Sequence, residues 1–294
     1  MSAASAPQAT AGAAAVRTRS RNGWLLLPAA ALLLVFFFWP LAIILWRSVS
    51  DPEPGFGNYL SVLGDAVQIR VVLRTLRVAL VVTLVTLVIA YPYAFAMSRV
   101  PARVRGLLLL LVLMPFWTSV MARNFAWYVL EQRDGLIDRA FAAVGLDGVV
   151  LLGSVTGVTV AMVQVMLPFM VLPLQNTMLG IDRRLVDAAT SLGAPRPVAF
   201  LRVYLPLSLP GVLAGVSVVF IMSLGFYITP ALLGTPQQAL VAQVIGTRVN
   251  DLLDFGGAGA LGAVLLVVTL IVLALLGRVA GPMYAATAGG VDRG

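Results

Sequence analysis

Three residue types are missing from this 294-residue chain: it has no cysteine, no histidine and, because all twenty basic residues are arginine, no lysine. Without cysteine there is no disulfide, zinc thiolate or thiol nucleophile. Without histidine the commonest general base and metal ligand is gone. Without lysine no P-loop lysine can reach nucleotide phosphates, so if ATP drives this protein another subunit binds it. An intramembrane hydrolase is disfavoured for the same reason, since its nucleophile needs an activating partner. The expectation is a non-catalytic chain that binds no metal and no cofactor of its own.

Charge is scarce as well. Charged residues make up 11% of the chain and apolar residues 60%, with a mean hydropathy of +0.98. A soluble domain averages about 25% charged, which this chain cannot match over a solvated surface. Lipid must be the solvent for much of it. The net charge of +8 and pI of about 10.7 could suggest nucleic acid. The arginines, however, sit in short segments beside long apolar runs, where no solvated basic stripe can form.

What is present is a series of membrane-length apolar runs. After an Ala-, Ser- and Thr-rich segment, Trp24–Trp46 is an uncharged run of 23 residues, about 34 Å as helix and long enough for a hydrocarbon core of about 30 Å. Trp24 and Trp46 mark its ends, as interfacial aromatics do. Its length and the Phe36–Pro40 stretch favour an uncleaved span over a signal peptide. Further spans are expected near 78–98, 106–130, 155–179, 207–229 and 255–277. Pro168 and Pro173 are expected kinks in the fourth. A seventh span within 203–247 would leave Gln237, Gln238 and Gln243 facing lipid, so six is preferred. The expected architecture is all-α and integral to the membrane. Residues 1–23 form a disordered cytoplasmic tail, 24–282 the transmembrane domain and 283–294 a second cytoplasmic tail.

Orientation follows from arginine placement. The segments Arg17 to Arg21, Arg99 to Arg105, Asp182 to Arg202 and Arg278 to Arg293 hold twelve of the twenty arginines but only three acids, Asp182, Asp187 and Asp292. Positive charge stays inside, so both termini are expected in the cytoplasm. On that topology Asp182–Arg202 is the longest cytoplasmic loop. Ile181, Leu185, Ala188, Ala189 and Leu192 recur at helical spacing, Asp182 can cap the start, and Gly193 can end the helix in a left-handed turn. A short amphipathic helix outside the membrane follows. It either lies on lipid or docks a cytoplasmic partner.

The stretch Asp187-Ala-Ala-x3-Gly193-Ala194, followed by Phe200, Val203 and Leu205-Pro-Leu-x2-Pro-Gly211, resembles the "EAA" loop of permease subunits of binding-protein-dependent ABC importers. It departs from that family in carrying Asp187 where Glu is usual. Met114-Pro-Phe-Trp-Thr-Ser119 with Arg123, Leu167-Pro-Phe-Met-Val-Leu-Pro173 and Gly225 through Gly234 are similar to the spermidine/putrescine permeases. The resemblance covers roughly residues 70–280. It implies a coupling helix between spans four and five, with Asp187, Ala188, Ala189, Leu192, Gly193 and Ala194 seated in an ATPase. It also implies two ATP-binding cassette subunits carrying ATP and Mg, a second homologous or identical permease and an extracytoplasmic solute-binding protein. The implied localisation is a bacterial inner membrane and the implied cargo a small solute, a polyamine or a related compound.

Candidates for the substrate path are Arg123, Asn124, Gln164, Tyr227 and Thr229. Arg123 either lines a polar route or pairs and snorkels near the outer interface, because an unpaired Arg at the centre of a lone span costs about 2.5–3.5 kcal/mol. Asn124 and Gln164 either line the route or hydrogen-bond between helices. Tyr227 and Thr229 mark either a broken helix end facing substrate or a simple terminus. Gly211 and Gly215 suggest close helix packing. No pair of acids lies inside a span, which weighs against the competing reading of an ion-coupled transporter or channel.

Overall fold

The computed structural model describes residues 27–146 and 148–288, for the last ten of these the backbone alone. The expected N-terminal tail, Trp24 and residues 289–294 lie outside the described residues. Every regular element among the described residues is helical. Five helices are long and apolar enough to cross a membrane, and a sharply bent pair makes a sixth candidate. The chain divides into two units, one ending at Ile44 and the other beginning at Leu45. The first holds most of helix α1 (Leu27–Ser50), which has a π-helical turn at Leu34–Phe38.

In the second unit the end of α1 is followed by a short helix, α2 (Gly57–Gly64), and then by the 34-residue α3 (Ala66–Arg99). The Asp65 carboxylate accepts from the Val67 N–H at 2.8 Å and satisfies one of the orphan donors of α3. Helix α7 (Val155–Leu179) starts in the same way, with Ser154 Oγ accepting from Gly157 N–H at 3.1 Å. Helix α9 (Arg196–Leu224) carries a π-helical turn at Phe200–Tyr204. These three helices form the core. Val82, Ala90, Ala94 and Met97 of α3 are buried with Met162, Met166, Met170 and Leu174 of α7 and Val219 of α9. Met162, Met166 and Met170 repeat every fourth residue and so share one face of α7.

Gly211 and Gly215 let α9 approach α7. A Cβ on Gly211 would sit 2.8 Å from the Thr177 Cβ and 3.0 Å from the Pro173 carbonyl, and one on Gly215 would sit 2.6 Å from the Met170 sulfur. Close approach between helices is the main source of attraction where lipid removes the hydrophobic drive.

The third apolar segment differs from a straight 106–130 helix. It forms α4 (Ala102–Trp117) and α5 (Val120–Glu131), and the chain turns by 96° between Ala102–Trp117 and Val120–Ala142. The cause is local. Pro115 lacks an N–H, and the Thr118 hydroxyl donates back to the Pro115 carbonyl at 2.7 Å, which competes with continuation of the helix. Thr118 and Ser119 are therefore extended. Helix α6 (Leu136–Ala142) follows.

The fourth to sixth segments frame the rest. After α7 comes α8 (Arg183–Ser191), and α9 then stops at Gly225. Helix α10 (Ile228–Leu233) resumes briefly and packs on α5 and α7. A turn at Pro236–Gln238 leads to α11 (Val241–Asn250), and α12 (Phe255–Ala288) closes the described chain.

Candidate functional site

Helix α8 is capped at both ends and packs on the bundle through the half-buried Val186, with none of its residues fully buried. Asp182 caps it by accepting from the Arg184 N–H at 2.9 Å. At its far end Gly193 adopts φ +90°. The Gly193 N–H donates to Thr190 O at 3.0 Å and the Ala194 N–H to Ala189 O at 3.1 Å. This bond pair closes a helix whose next residue is left-handed, a conformation that a side chain with a Cβ enters at a cost of about 1–2 kcal/mol. None of the residues from Arg183 to Ser191 is buried. Asp187 and Ala188 are exposed and Ala189 is half-buried. Leu192 is 90% exposed.

The ends of α8 are nevertheless anchored. Arg183 donates from Nη2 to the backbone carbonyl of Ser98, in the last turn of α3. That carbonyl is one of the acceptors a helix C-terminus leaves unsatisfied, and a cation is favoured there. Following α8, Phe200 and Tyr204 stack on each other at 5.5 Å, and both meet Phe95 of α3 edge-on. Arg99 lies over the Phe95 ring at 4.6 Å and the Tyr204 ring at 5.8 Å. Ser98 Oγ and Tyr204 Oη are 3.2 Å apart.

The five path candidates have separate partners. The Arg123 guanidinium turns back onto the bend, donating to the Pro115 carbonyl and, at 3.2 Å, to the Thr118 carbonyl. It completes the open end of α4. Asn124 is buried and donates to Val120 O at 2.9 Å. Its outer edge lines an open cleft of about 390 Å³ with Met121, Phe125, Tyr128 and Leu232. Gln164 Oε1 accepts from Trp127 Nε1–H at 2.7 Å, which ties α7 to α5. Thr229 is buried and its hydroxyl has no hydrogen-bond partner. Tyr227 is 45% exposed. It lines a second cleft, of about 410 Å³, with Thr235, Gln243, Thr247 and Arg248 among others. Arg248 is itself paired with Asp254 at 3.0 Å.

Reading the sequence alone missed two features. Glu131, at the end of α5, is 1% exposed, and neither carboxylate oxygen has a hydrogen-bond partner. It follows an apolar run directly, so the sequence marks it only as a charge at a span's edge. Arg74 and Thr75 of α3 are the second. They bind the segment 237–241 at the start of α11, a partner more than 160 residues away that no local pattern can name.

Comparisons with known proteins agree on what carries this arrangement. Residues 89–282 match the family described as "Binding-protein-dependent transport system inner membrane component". The spermidine/putrescine transport system permease protein PotB of Escherichia coli K12 is 32% identical over 205 residues, covering 68% of this chain and 74% of that one. PotB of Haemophilus influenzae is 34% identical over 218 residues, covering 73% and 76%. A probable sulfate transport system permease of Chlorokybus atmophyticus is 29% identical over 243 residues, covering 81% and 83%. A chain of a bacterial alginate ABC transporter, solved with a periplasmic protein bound to alginate pentasaccharide, shares the fold. Its TM-score is 0.72 over 88% of this chain and 94% of its own, at 19% identity. Together with the five to six membrane-length helices, these matches make this a multi-pass protein of the bacterial inner membrane. The chain belongs to the binding-protein-dependent transport system inner membrane components, as an ABC permease of the spermidine/putrescine type.

Proposed function

We propose that this chain forms part of the path for a small solute, a polyamine or a related amine, handed over by an extracytoplasmic binding protein. A separate ATPase pair, holding ATP and Mg, would drive the cycle. The permease pair would be completed by a second copy or a homologue. Both termini would face the cytoplasm, with α8 as the coupling helix. The observation that carries this reading is α8 itself, a capped helix with no fully buried residue, held to the bundle by Arg183 and by the half-buried Val186 while Asp187, Ala188 and Leu192 stay exposed. A solitary nine-residue helix is marginal in water. One held out in this way suits insertion into a groove on a partner.

The relatives support the cargo class: two of them carry the spermidine/putrescine name, although a third is named for sulfate. An ion-coupled carrier without an ATPase, open on the sequence alone, is disfavoured by membership in a binding-protein-dependent family. The test is affinity purification from the native membrane followed by cysteine labelling of α8. Co-purification of an ATPase, with Ser191→Cys reached only from the cytoplasmic side, supports the reading. ATP-independent uptake by the isolated chain, or labelling from outside, overturns it.

A further inference from the structure

Helix α3 is gripped at both ends by polar contacts that the packing of its middle does not require. Near its outer end, Arg74 Nη1 donates to the carbonyls of Gln237 and Ala239 at 2.9 and 3.2 Å. One turn position on, the buried Thr75 hydroxyl accepts from the Val241 N–H at 2.9 Å while donating to Val71 O. Those partners form the segment between α10 and α11. The same segment borders the cleft lined by Tyr227, Gln243 and Arg248. At its other end, Ser98 takes the hydrogen bond of Arg183, and Arg99 lies over Phe95 and Tyr204. The two grips are roughly 35 Å apart along the helix, at about 1.5 Å per residue.

Between the grips α3 is sandwiched by α7 and α9, with Val78, Val82, Ala90, Ala94 and Met97 buried. Close-packed interiors have low compressibility and pass displacement on rather than absorb it. Charge-assisted bonds tie both ends, from the Arg74 side chain of α3 to the main chain of its neighbour and from the Arg183 side chain of α8 to the main chain of α3.

We propose that α3 is the line of communication between α8 and the outer segment 237–241, with Arg183–Ser98 and Arg74/Thr75 as its two couplings. A displacement of α8 moves the last turn of α3, the packed helix shifts as a body, and Arg74 and Thr75 carry the outer segment with it. Coupling of this kind is reciprocal, so an event at the outer segment biases α8 equally. Arg74, Thr75 and Arg183 are positioning residues in this account, and it rests on the docking reading of α8.

Because this chain has no cysteine, a single introduced thiol can be followed on it, resolved from the other subunits by gel, within the full complex of permeases and ATPases. A single Gln237→Cys reporter places a thiol on an exposed side chain while keeping the carbonyl that Arg74 uses. Its labelling rate by a membrane-impermeant maleimide is measured in the nucleotide-free complex and after trapping with ATP and vanadate. The expected result is a rate that changes on trapping, and a change reduced at least five-fold by Arg74→Ala, Thr75→Val or Arg183→Ala. Arg74→Lys and Arg183→Lys should retain most of it, and the Arg74→Ala/Arg183→Ala double variant should be no worse than the poorer single one. A merely structural role would lower the yield of complex without altering the change seen in what assembles. A trapping-dependent change undiminished in the assembled Thr75→Val and Arg183→Ala complexes overturns the proposal, as does no change in the parent complex. Gly193→Asp separates the two layers. If it transports normally, the docking reading fails. If it uncouples while the α3 variants respond like the parent, only the α3 line fails.

Discussion

Glu131 lies against Gly157 so closely that a Cβ on the glycine would sit 2.5 Å from the Glu131 Oε2. The same Cβ would be 2.5 Å from the Leu151 carbonyl, so the backbone would obstruct it as well as the side chain. The contact joins the end of α5 to the first turn of α7 beneath a backbone bond from Leu152 N–H to Glu131 O. The carboxylate faces the first turn of α7, yet neither oxygen takes a hydrogen bond there, so no donor offsets the cost of burying it.

Gly157→Ala should therefore destabilise the protein by about 1–3 kcal/mol through overpacking. Glu131→Gln, which preserves shape, should cost less than Glu131→Ala. The detergent-solubilised thermal midpoint of each variant, compared with the parent, checks both orderings.

Gly193→Asp should leave insertion intact and lower transport at least ten-fold, because its φ of +90° admits a side chain only with strain of about 1–2 kcal/mol. Gly193→Asn should fall between, since asparagine enters the left-handed region more readily. Uptake normalised to immunodetected subunit distinguishes lost coupling from lost protein. Nothing else crowds that Cβ position, so strain or the partner groove must explain any defect.

Gly211→Ala should be more damaging than Gly215→Ala. At Gly211 the obstruction includes the Pro173 backbone carbonyl and the Cβ of Thr177. At Gly215 the nearest atom is the sulfur of Met170, on a flexible side chain that can swing aside. Folded yield after membrane extraction should rank parent, Gly215→Ala, Gly211→Ala. The reverse order would mean that the α7–α9 contact yields differently from its geometry.

Arg123→Ala should lower stability by about 1–3 kcal/mol, because it strips the Pro115 and Thr118 carbonyls of a charged donor at a bend. It should leave the half-saturation concentration for the transported solute within about two-fold. A large change in that concentration with unchanged thermal stability would instead make Arg123 a substrate contact.

Much of this was legible along the chain. Long uncharged runs without cysteine, histidine or lysine admit a helical bundle in lipid and little else, since hydrocarbon requires each span to satisfy its own backbone. The cap at Asp182 and the left-handed stop at Gly193 are local features, carried by residues within a few positions of each other, and α8 forms between them. The bend after Pro115 was not read, although Pro115 and Thr118 were visible. A proline close to a helix end can kink or terminate it, and the choice depended on Thr118 and Arg123 reaching back to the freed carbonyls.

By itself the sequence determined the solvent, the helical class, the family motif and the short helix between Asp182 and Gly193, all of which depend on composition or on neighbours a few residues away. Only the tertiary structure decided that Arg123 closes a bend, that Glu131 is buried against Gly157, and that Arg74 meets a segment far along the chain. Those outcomes depend on which helices lie side by side, and periodicity says which face of a helix is apolar without saying what will cover it.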